Sequence, residues 1–232
     1  MIMGWIKDLG RVIFPVTCEV CGRTLVDGER VLCLGCMAAM PRVNAHLEPE
    51  SELSRRLAGA SKVRGVAAMF AYIRDTPYAH VIQKSKYNCR PDIDHDLAME
   101  FAAEIHGSGF FEGVDLILPV PMHTWKKLRR GFNQAEEIAR GVGRVTGIEL
   151  ADNLVARRGH STQTRRNAEE RIRNAAGVYE VAYPEELVGK HVLLVDDVIT
   201  TGATVMACCD ALHGAVGTID VSVLALAATR MA

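Results

Sequence analysis

The sequence predicts an α/β protein with a parallel sheet flanked by helices, preceded by a small four-cysteine module. The short apolar run Val192–Val195 is typical of a central parallel strand that is covered on both faces. A second buried strand is predicted over Asp115–Leu118, and small and apolar residues continue a helical pattern to about His213. Two Cys-x2-Cys pairs near the start predict the separate module.

Length and composition favour one domain with a substantial core and a small accessory module. The chain has 232 residues, of which 49% are apolar and 24% charged, and this composition excludes a disordered or fibrous protein. The formal net charge of -1 argues against a chain that is basic throughout. Contact with a polyanion must therefore come from local clusters of basic residues.

The opening run Met1–Phe14 is amphipathic, because Lys7, Asp8 and Arg11 interrupt it. No stretch of the sequence approaches the roughly 18 to 20 apolar residues that a membrane span requires. We therefore expect neither a membrane span nor a signal peptide, and we expect a cytoplasmic protein with reduced thiols.

Four cysteines near the start have the spacing of a metal site. Cys18 and Cys21 form one pair, Cys33 and Cys36 form the other, and eleven residues separate the pairs. This spacing predicts a tetrahedral zinc ion that is structural, because four thiolates leave no position for water or substrate. The alternative is that the pairs are redox-active or unliganded thiols. Docking to a partner or to nucleic acid stays open as the use of the module.

A polar stretch of weak periodicity, bracketed by Pro41 and Pro49 and running to about Ser61, predicts a connection between two units. We therefore assign residues 1–60 to the zinc module and its linker, and residues 61–232 to the main domain.

The main domain is predicted to begin with a strand over Val66–Ile73 and a helix over Tyr78–Tyr87. Lys84 and Lys86 lie near the end of this helix, where basic side chains interact favourably with the helix dipole.

The segment after Val192–Val195 has the composition of a site for a sugar phosphate. Ligands of open α/β sheets bind beyond the carboxyl ends of the strands, where a following helix presents free amides to an anion. Asp196 and Asp197 can accept hydrogen bonds from sugar hydroxyls or reach a divalent ion. The predicted phosphate cradle comprises Thr200, Thr201, Gly202, Ala203 and Thr204. The alternative is a solvated turn followed by an ordinary helix N-cap.

Basic residues follow the second predicted strand, which we expect to stop at Pro119, Val120 and Pro121. The segment from residue 122 to 174 contains twelve lysines and arginines against six acidic residues. Among them, Arg129 and Arg130 precede a glycine, and this predicts a mobile loop that closes over an anion.

The run Val192–Thr204 resembles the 5-phosphoribosyl-1-pyrophosphate (PRPP) signature of type I phosphoribosyltransferases, a family that joins a parallel core to a hood and uses Mg-PRPP. This resemblance implies that Asp196 and Asp197 hold the ribose hydroxyls and that Thr200 to Thr204 hold the 5-phosphate. It also implies that Pro119 to Pro121, with Arg129 and Arg130, bind the pyrophosphate.

Nearly the whole chain is similar to the ComF (competence protein F) family. The residues that carry this likeness are Arg129 to Ala135, Gln163, Arg171, Asn174 and the four cysteines. The resemblance implies a role in DNA uptake, with single-stranded DNA or the uptake machinery as partner. By the family's lysine-tyrosine motif, it also implies that Lys86 and Tyr87 face the ligand.

Two functions stay open at this point. The first is a PRPP-binding protein that acts in natural transformation. The alternative is an enzyme that transfers ribose 5-phosphate from PRPP to an unidentified nucleobase or amine and releases pyrophosphate. The chain has 6% aromatic residues and no aromatic-rich basic stretch of the kind that stacks bases. A DNA role therefore rests on family likeness and on backbone electrostatics.

Overall fold

The computed structural model describes residues 15–58, 63–156 and 178–230. Within these ranges the helices are α1 Leu34–Ala38, α2 Glu52–Leu57, α3 Pro77–Asn88, α4 Pro91–Ile105, α5 Thr124–Arg130, α6 Gln134–Thr146 and α7 Ala203–Val216. The strands are β1 Arg42–Val43, β2 Val63–Ala71, β3 Leu116–Pro119, β4 Glu149–Leu150, β5 Leu154–Ala156, β6 Tyr179–Val181, β7 His191–Ile199 and β8 Asp220–Ala228. In this part of the chain, no helix has the length and apolar composition needed to cross a bilayer.

Six strands form one sheet in the order β1-β2-β8-β7-β3-β4. All neighbours are parallel except β1, which pairs antiparallel with β2 at the edge. β7 is longer than the sequence predicts, because Asp196 pairs with Ala225 and Val198 pairs with Ala227 of β8. The two aspartates therefore belong to the strand rather than to a loop that follows it.

Helices cover both faces of this sheet, as the apolar strands predict. On β7, Leu193 and Val195 belong to the apolar cluster that contains residues of α4 and α6. Val192 and Leu194 belong to the opposite cluster, which contains residues of α7. The alternation follows from the two-residue period of a strand, and it confirms the α/β class.

The sheet order creates a crevice between β3 and β7. After β3 the chain passes through α5 and α6 to β4 at one edge, whereas after β7 it passes through α7 to β8 on the other side. At such a switch point, the loops that leave the carboxyl ends of the two strands diverge and leave a binding crevice.

The segment predicted as a connection contributes to the fold of the main domain. It contains β1 at the sheet edge and α2, whose Leu53 and Leu57 are buried. The cysteine module also packs on this domain, because the Tyr78 hydroxyl of α3 donates to the Cys36 carbonyl at 2.7 Å. The division near residue 60 stays a prediction.

Candidate functional site

A cleft of about 240 Å³ opens at the carboxyl ends of β3 and β7. Seven of the residues that the sequence assigned to ligand binding line it, namely Lys86, Val120, Pro121, Arg130, Asp196, Asp197 and Thr204. They come from four separate segments of the chain. The fold therefore gathers most of the predicted site at the switch point of the sheet.

The two aspartates form the charged centre of the cleft. The Asp197 carboxylate makes an ion pair with the Lys86 ammonium, and the Asp197 N–H donates to Asp196 Oδ1 at 2.9 Å. Burial, and then the neighbouring Asp197 charge, raise the pKa of Asp196 well above its usual range. Hydroxyl donors or a cation would relieve the repulsion between these two carboxylates.

The two lysines near the end of α3 contact different parts of the protein. Lys86 reaches Asp197, whereas Lys84 Nζ lies 2.9 Å from Glu19 Oε2 of the cysteine module. Tyr87, which the family resemblance placed at the ligand, is 71% exposed and does not line the cleft.

The predicted phosphate cradle forms the turn from β7 into α7, and Gly202 is its N-cap residue with φ 81°. A Cβ atom at Gly202 would lie 2.6 Å from Leu57 Cδ2, so the position requires glycine for both its conformation and its packing. Gly202 has no side chain to cap α7, and the Ala203 N–H donates to Thr201 Oγ1 only at a long 3.4 Å, so the N-terminus of this helix can present amides to an anion. Of the five cradle residues, Thr204 lines the cleft.

Arg56 of α2, which the sequence did not single out, holds the predicted phosphate cradle in position. Its Nη1 donates to the Thr200 carbonyl at 2.7 Å and to Thr229 Oγ1 at 3.3 Å. Its Nη2 pairs with Glu52 on the same helix at 2.7 Å, and the Arg56 side chain is only 6% exposed. The sequence could not predict this role for an arginine in a segment assigned to the linker, because its partners Thr200 and Thr229 are distant in the chain.

The two arginines after β3 occupy the end of a helix, whereas the sequence predicts a loop. Helix α5 ends at Gly131, whose φ of 86° is the left-handed conformation that commonly terminates helices. Arg130 lines the cleft and donates through Nη1 to Gln134 Oε1 at 3.0 Å. Arg129 lies beside the Trp125 ring, at 6.0 Å from its centroid, and does not line the cleft.

Strand β3 ends at Pro119, within the run where the sequence predicts that it stops. Pro119 pairs with Val195, and the next N–H, of Val120, donates to the Val195 carbonyl at 2.8 Å. A proline is tolerated at this position because it terminates the regular ladder while the following residue supplies the donor. Pro119 lines a separate depression beside the cleft, together with Pro121.

Asn133 is a buried residue whose role the sequence did not reveal. Its Nδ2 donates to the Val120 carbonyl at 3.0 Å, and its Oδ1 accepts from the Ala135 N–H at 3.3 Å. The side chain thus caps α6 and ties it to the loop that carries Pro121. An asparagine directly before an amphipathic helix is a recognisable N-cap signal.

Beneath the cleft lies a third unforeseen group, the buried carboxylate of Asp94. It accepts hydrogen bonds from the Ser85 hydroxyl and from Gln134 Nε2, the latter at 3.2 Å. Burial raises the pKa of Asp94 to about 7, against the lowering effect of these two donors. Because Gln134 also contacts Arg130, this network connects the interior to the cleft rim.

The four cysteines lie together, as their spacing predicts. Their Sγ atoms are within 4.8 Å of one another, and those of Cys21 and Cys33 are 3.7 Å apart. Zinc–sulfur bonds of about 2.3 Å in a tetrahedron require sulfur–sulfur distances of about 3.8 Å. All four thiols are free of disulfides. The cluster therefore has the donor set and spacing for a tetrahedral metal ion.

The family residues Gln163, Arg171 and Asn174, and the amphipathic run Met1–Phe14, lie outside the described residues.

The solved structures that the chain resembles include two phosphoribosyl-handling enzymes. Glutamine PRPP amidotransferase from Bacillus subtilis matches with a TM-score of 0.41 and 20% identity, over 61% of this chain and 30% of that chain. Adenine phosphoribosyltransferase from Leishmania tarentolae matches with a TM-score of 0.37 and 13% identity, over 78% of this chain and 89% of that chain.

Curated relatives are more similar in sequence. Competence protein F of Haemophilus influenzae is 32% identical over 133 residues, which are 55% of this chain and 58% of that protein. DNA utilization protein YhgH of Escherichia coli K12 is 28% identical over 192 residues, which are 81% of this chain and 80% of that protein.

The family model for the phosphoribosyl transferase domain matches residues 93–228, a range that contains β3, β7, α7 and both aspartates. This match covers more than half of the chain, and the Haemophilus influenzae relative bears the name of the family that the cysteines and the Arg129 to Ala135 segment indicate. The chain therefore belongs to the phosphoribosyl transferase domain family and, within it, to the ComF family.

Proposed function

We propose that the cleft at the carboxyl ends of β3 and β7 binds PRPP. The observation that carries this proposal is the placement of Asp196 and Asp197 opposite Lys86 and Arg130, beside the N-terminus of α7. The carboxylates accept from the ribose hydroxyls, and the amides and hydroxyls of Thr200–Thr204 bind the 5-phosphate. Ligands with vicinal hydroxyls and two separate phosphate groups match this distribution of charge.

The pyrophosphate lies toward Pro119, Val120 and Pro121, where Arg130 supplies a guanidinium at the rim of the cleft. We also assign Arg129 to the pyrophosphate, which it reaches only if its side chain moves away from the Trp125 ring. Magnesium accompanies PRPP and neutralises part of the pyrophosphate charge. Asp196 and Asp197 offer the oxygen donors that this ion prefers.

The four-cysteine cluster holds zinc as a structural ion. Its thiolates leave no open coordination position, and the hydrogen bond between Tyr78 and Cys36 joins the module to α3. Because α3 also carries Lys86, the metal stabilises the helix that delivers a charge to the cleft. The cysteines of this cluster form no disulfide, as is typical of a reducing compartment, so we assign the protein to the cytoplasm.

The biological role that we propose is in DNA uptake and natural transformation. The names Competence protein F and DNA utilization protein YhgH support it. The partner is single-stranded DNA or the uptake machinery. A gene deletion complemented by a double variant, with Asp196→Asn and Asp197→Asn, tests whether this role needs the cleft. We expect transformation to stay at the deletion level, whereas wild-type frequency with the double variant would separate DNA uptake from PRPP binding.

Transferase activity is the second candidate, and the arrangement of Asp196, Asp197 and Arg130 around a cleft of about 240 Å³ favours it. A nucleophile would attack the anomeric carbon while pyrophosphate departs, stabilised by cationic side chains. Pyrophosphate release that depends on one added nucleobase or amine would establish this activity.

The same double variant tests the binding site directly in calorimetry. Each Asn keeps one neutral acceptor oxygen, but the ribose hydroxyls lose their charged acceptors and meet an NH2 donor in place of the second oxygen, so we expect PRPP affinity to fall at least about 100-fold. Thermal unfolding of the variant checks that the fold is retained. Unchanged PRPP affinity would contradict the proposed site.

A further inference from the structure

Helix α5, Thr124–Arg130, places an exposed tryptophan among basic side chains. None of its seven residues is buried, and Trp125 and Leu128 are 60% and 88% exposed. Its four cations are Lys126, Lys127, Arg129 and Arg130. Tryptophan usually buries most of its surface, so an exposed ring within a positive helix indicates a binding surface.

Two of the four cations flank the tryptophan ring. Lys126 Nζ is 5.7 Å and Arg129 Cζ is 6.0 Å from the ring centroid of Trp125. In the parts of the chain that the structure describes, neither cation has a carboxylate partner. Lys127 differs because it pairs with Glu136 at 2.6 Å. Two uncompensated positive charges of α5 therefore lie beside the aromatic ring, whereas Arg130 contacts Gln134 and lines the cleft.

The chemistry of this surface selects its partner. A flat exposed ring can stack on an unpaired base, and cations beside the ring can contact the flanking phosphates. A second copy of the chain is a poor occupant, since a symmetric contact would bring two copies of the basic helix together. Duplex nucleic acid is also unsuitable, because its bases are already stacked inside the helix.

We propose that α5 binds single-stranded nucleic acid, with a base stacked on Trp125 and adjacent phosphates on Lys126 and Arg129. This inference rests on the proposed role in DNA uptake and adds the surface that contacts the strand. The sequence has no aromatic-rich basic stretch, but this surface needs only the single ring of Trp125 among basic side chains. Lys126 also lines the cleft, so the bound strand lies at the rim of the PRPP site.

The test measures the binding of a labelled oligothymidylate of about 15 nucleotides to the zinc-loaded full chain at about 50 mM salt. Fluorescence anisotropy should show that Trp125→Ala weakens binding about 5- to 100-fold. Trp125→Phe keeps an aromatic face and should stay within about threefold of wild type. Leu128→Ala is the matched control, because Leu128 is exposed on the same helix and cannot stack; its binding should be unchanged.

Three results would each overturn the proposal that α5 binds single-stranded nucleic acid. The first is that Trp125→Ala binds the oligonucleotide like wild type, and the second is that duplex DNA competes as well as the single strand. The third is that the wild-type protein does not bind the oligonucleotide at low salt. A matching oligouridylate then distinguishes RNA from DNA as the preferred strand. PRPP calorimetry on the same Trp125→Ala protein separates the two proposals, since Trp125 does not line the cleft. Retained PRPP binding with lost oligonucleotide binding supports the surface. Loss of PRPP binding in wild type and variants alike counts against the proposed PRPP site instead.

Discussion

The two segments that border the cleft, Asp196–Thr204 and helix α5, differ in how the rest of the protein holds them. The first is fixed by Arg56 at the Thr200 carbonyl and by Leu57 against Gly202. The second has no buried residue. Yet both lie at the same end of the sheet, and both carry groups suited to an anion.

This difference indicates that the two segments have different roles in binding. Contacts to the ribose and its 5-phosphate need donors and acceptors at defined positions, and buried support supplies that precision. An exposed basic helix can instead adapt to a flexible polyanion or adjust to pyrophosphate. The variants below test this contrast.

The largest effect is expected at Gly202. Changing Gly202 to alanine imposes a left-handed conformation on a residue with a Cβ atom and places that atom against Leu57, so we expect a loss of about 2 to 5 kcal/mol in the free energy of unfolding. Gly131, at the end of α5, is the matched control, because its φ is 86° but a Cβ atom added there would meet no described atom within 4 Å. Gly131→Ala should cost only about 1 kcal/mol. Urea unfolding measures both, and equal losses would remove the contrast between the two segments.

Arg56→Ala should have the next largest effect. It removes a largely buried side chain and leaves the Thr200 carbonyl without its guanidinium donor, so we expect a loss of about 2 kcal/mol in unfolding free energy and weaker PRPP binding. Arg55→Ala on the same helix is the control, since Arg55 is exposed, and it should change stability by less than about 0.5 kcal/mol. PRPP affinity unaffected by Arg56→Ala would show that the cradle needs no support from α2.

An effect of similar size, but confined to a change with pH, is expected from Asp94→Asn. The folded-state pKa of Asp94 is about 7 against an ordinary 3.8, so between these values the folded protein retains a proton that the unfolded chain releases. Wild-type stability relative to the variant should therefore fall as pH rises from 5 to 7, by about 2 kcal/mol.

Asp92→Asn is the control for this comparison. The Arg90 side chain lowers the pKa of Asp92, so its contribution is lost only as pH falls below its ordinary value. The difference between Asp92→Asn and wild type should stay constant from pH 5 to 8. Urea unfolding across this range measures both variants, and a constant difference for Asp94→Asn as well would contradict the raised pKa.

Much of this architecture could be predicted from the sequence, because its determinants are local. The β-branched run at Val192–Val195 and the turn chemistry of Thr200–Thr204 predict a strand, a phosphate-binding turn and a helix in that order. The two Cys-x2-Cys pairs likewise predict that four sulfur atoms lie together, and the structure confirms this.

The supporting contacts could not be predicted, because they join residues far apart in the chain. Arg56 is 144 positions from Thr200, and Asp94 is 40 positions from Gln134. The sequence also predicts a loop at Arg129 and Arg130, where the structure has the end of a helix. A glycine after basic residues is compatible with either. Trp125 became informative only when its exposure and its neighbouring cations were known.

The central claim is that Asp196, Asp197 and the cradle after them bind PRPP. Calorimetric titration of the zinc-loaded protein with PRPP, with and without magnesium, tests this most directly. The account predicts saturable binding that strengthens when magnesium is present, because the ion offsets the charge between the ligand's pyrophosphate and the two carboxylates. Absence of heat and of saturation under both conditions would contradict it.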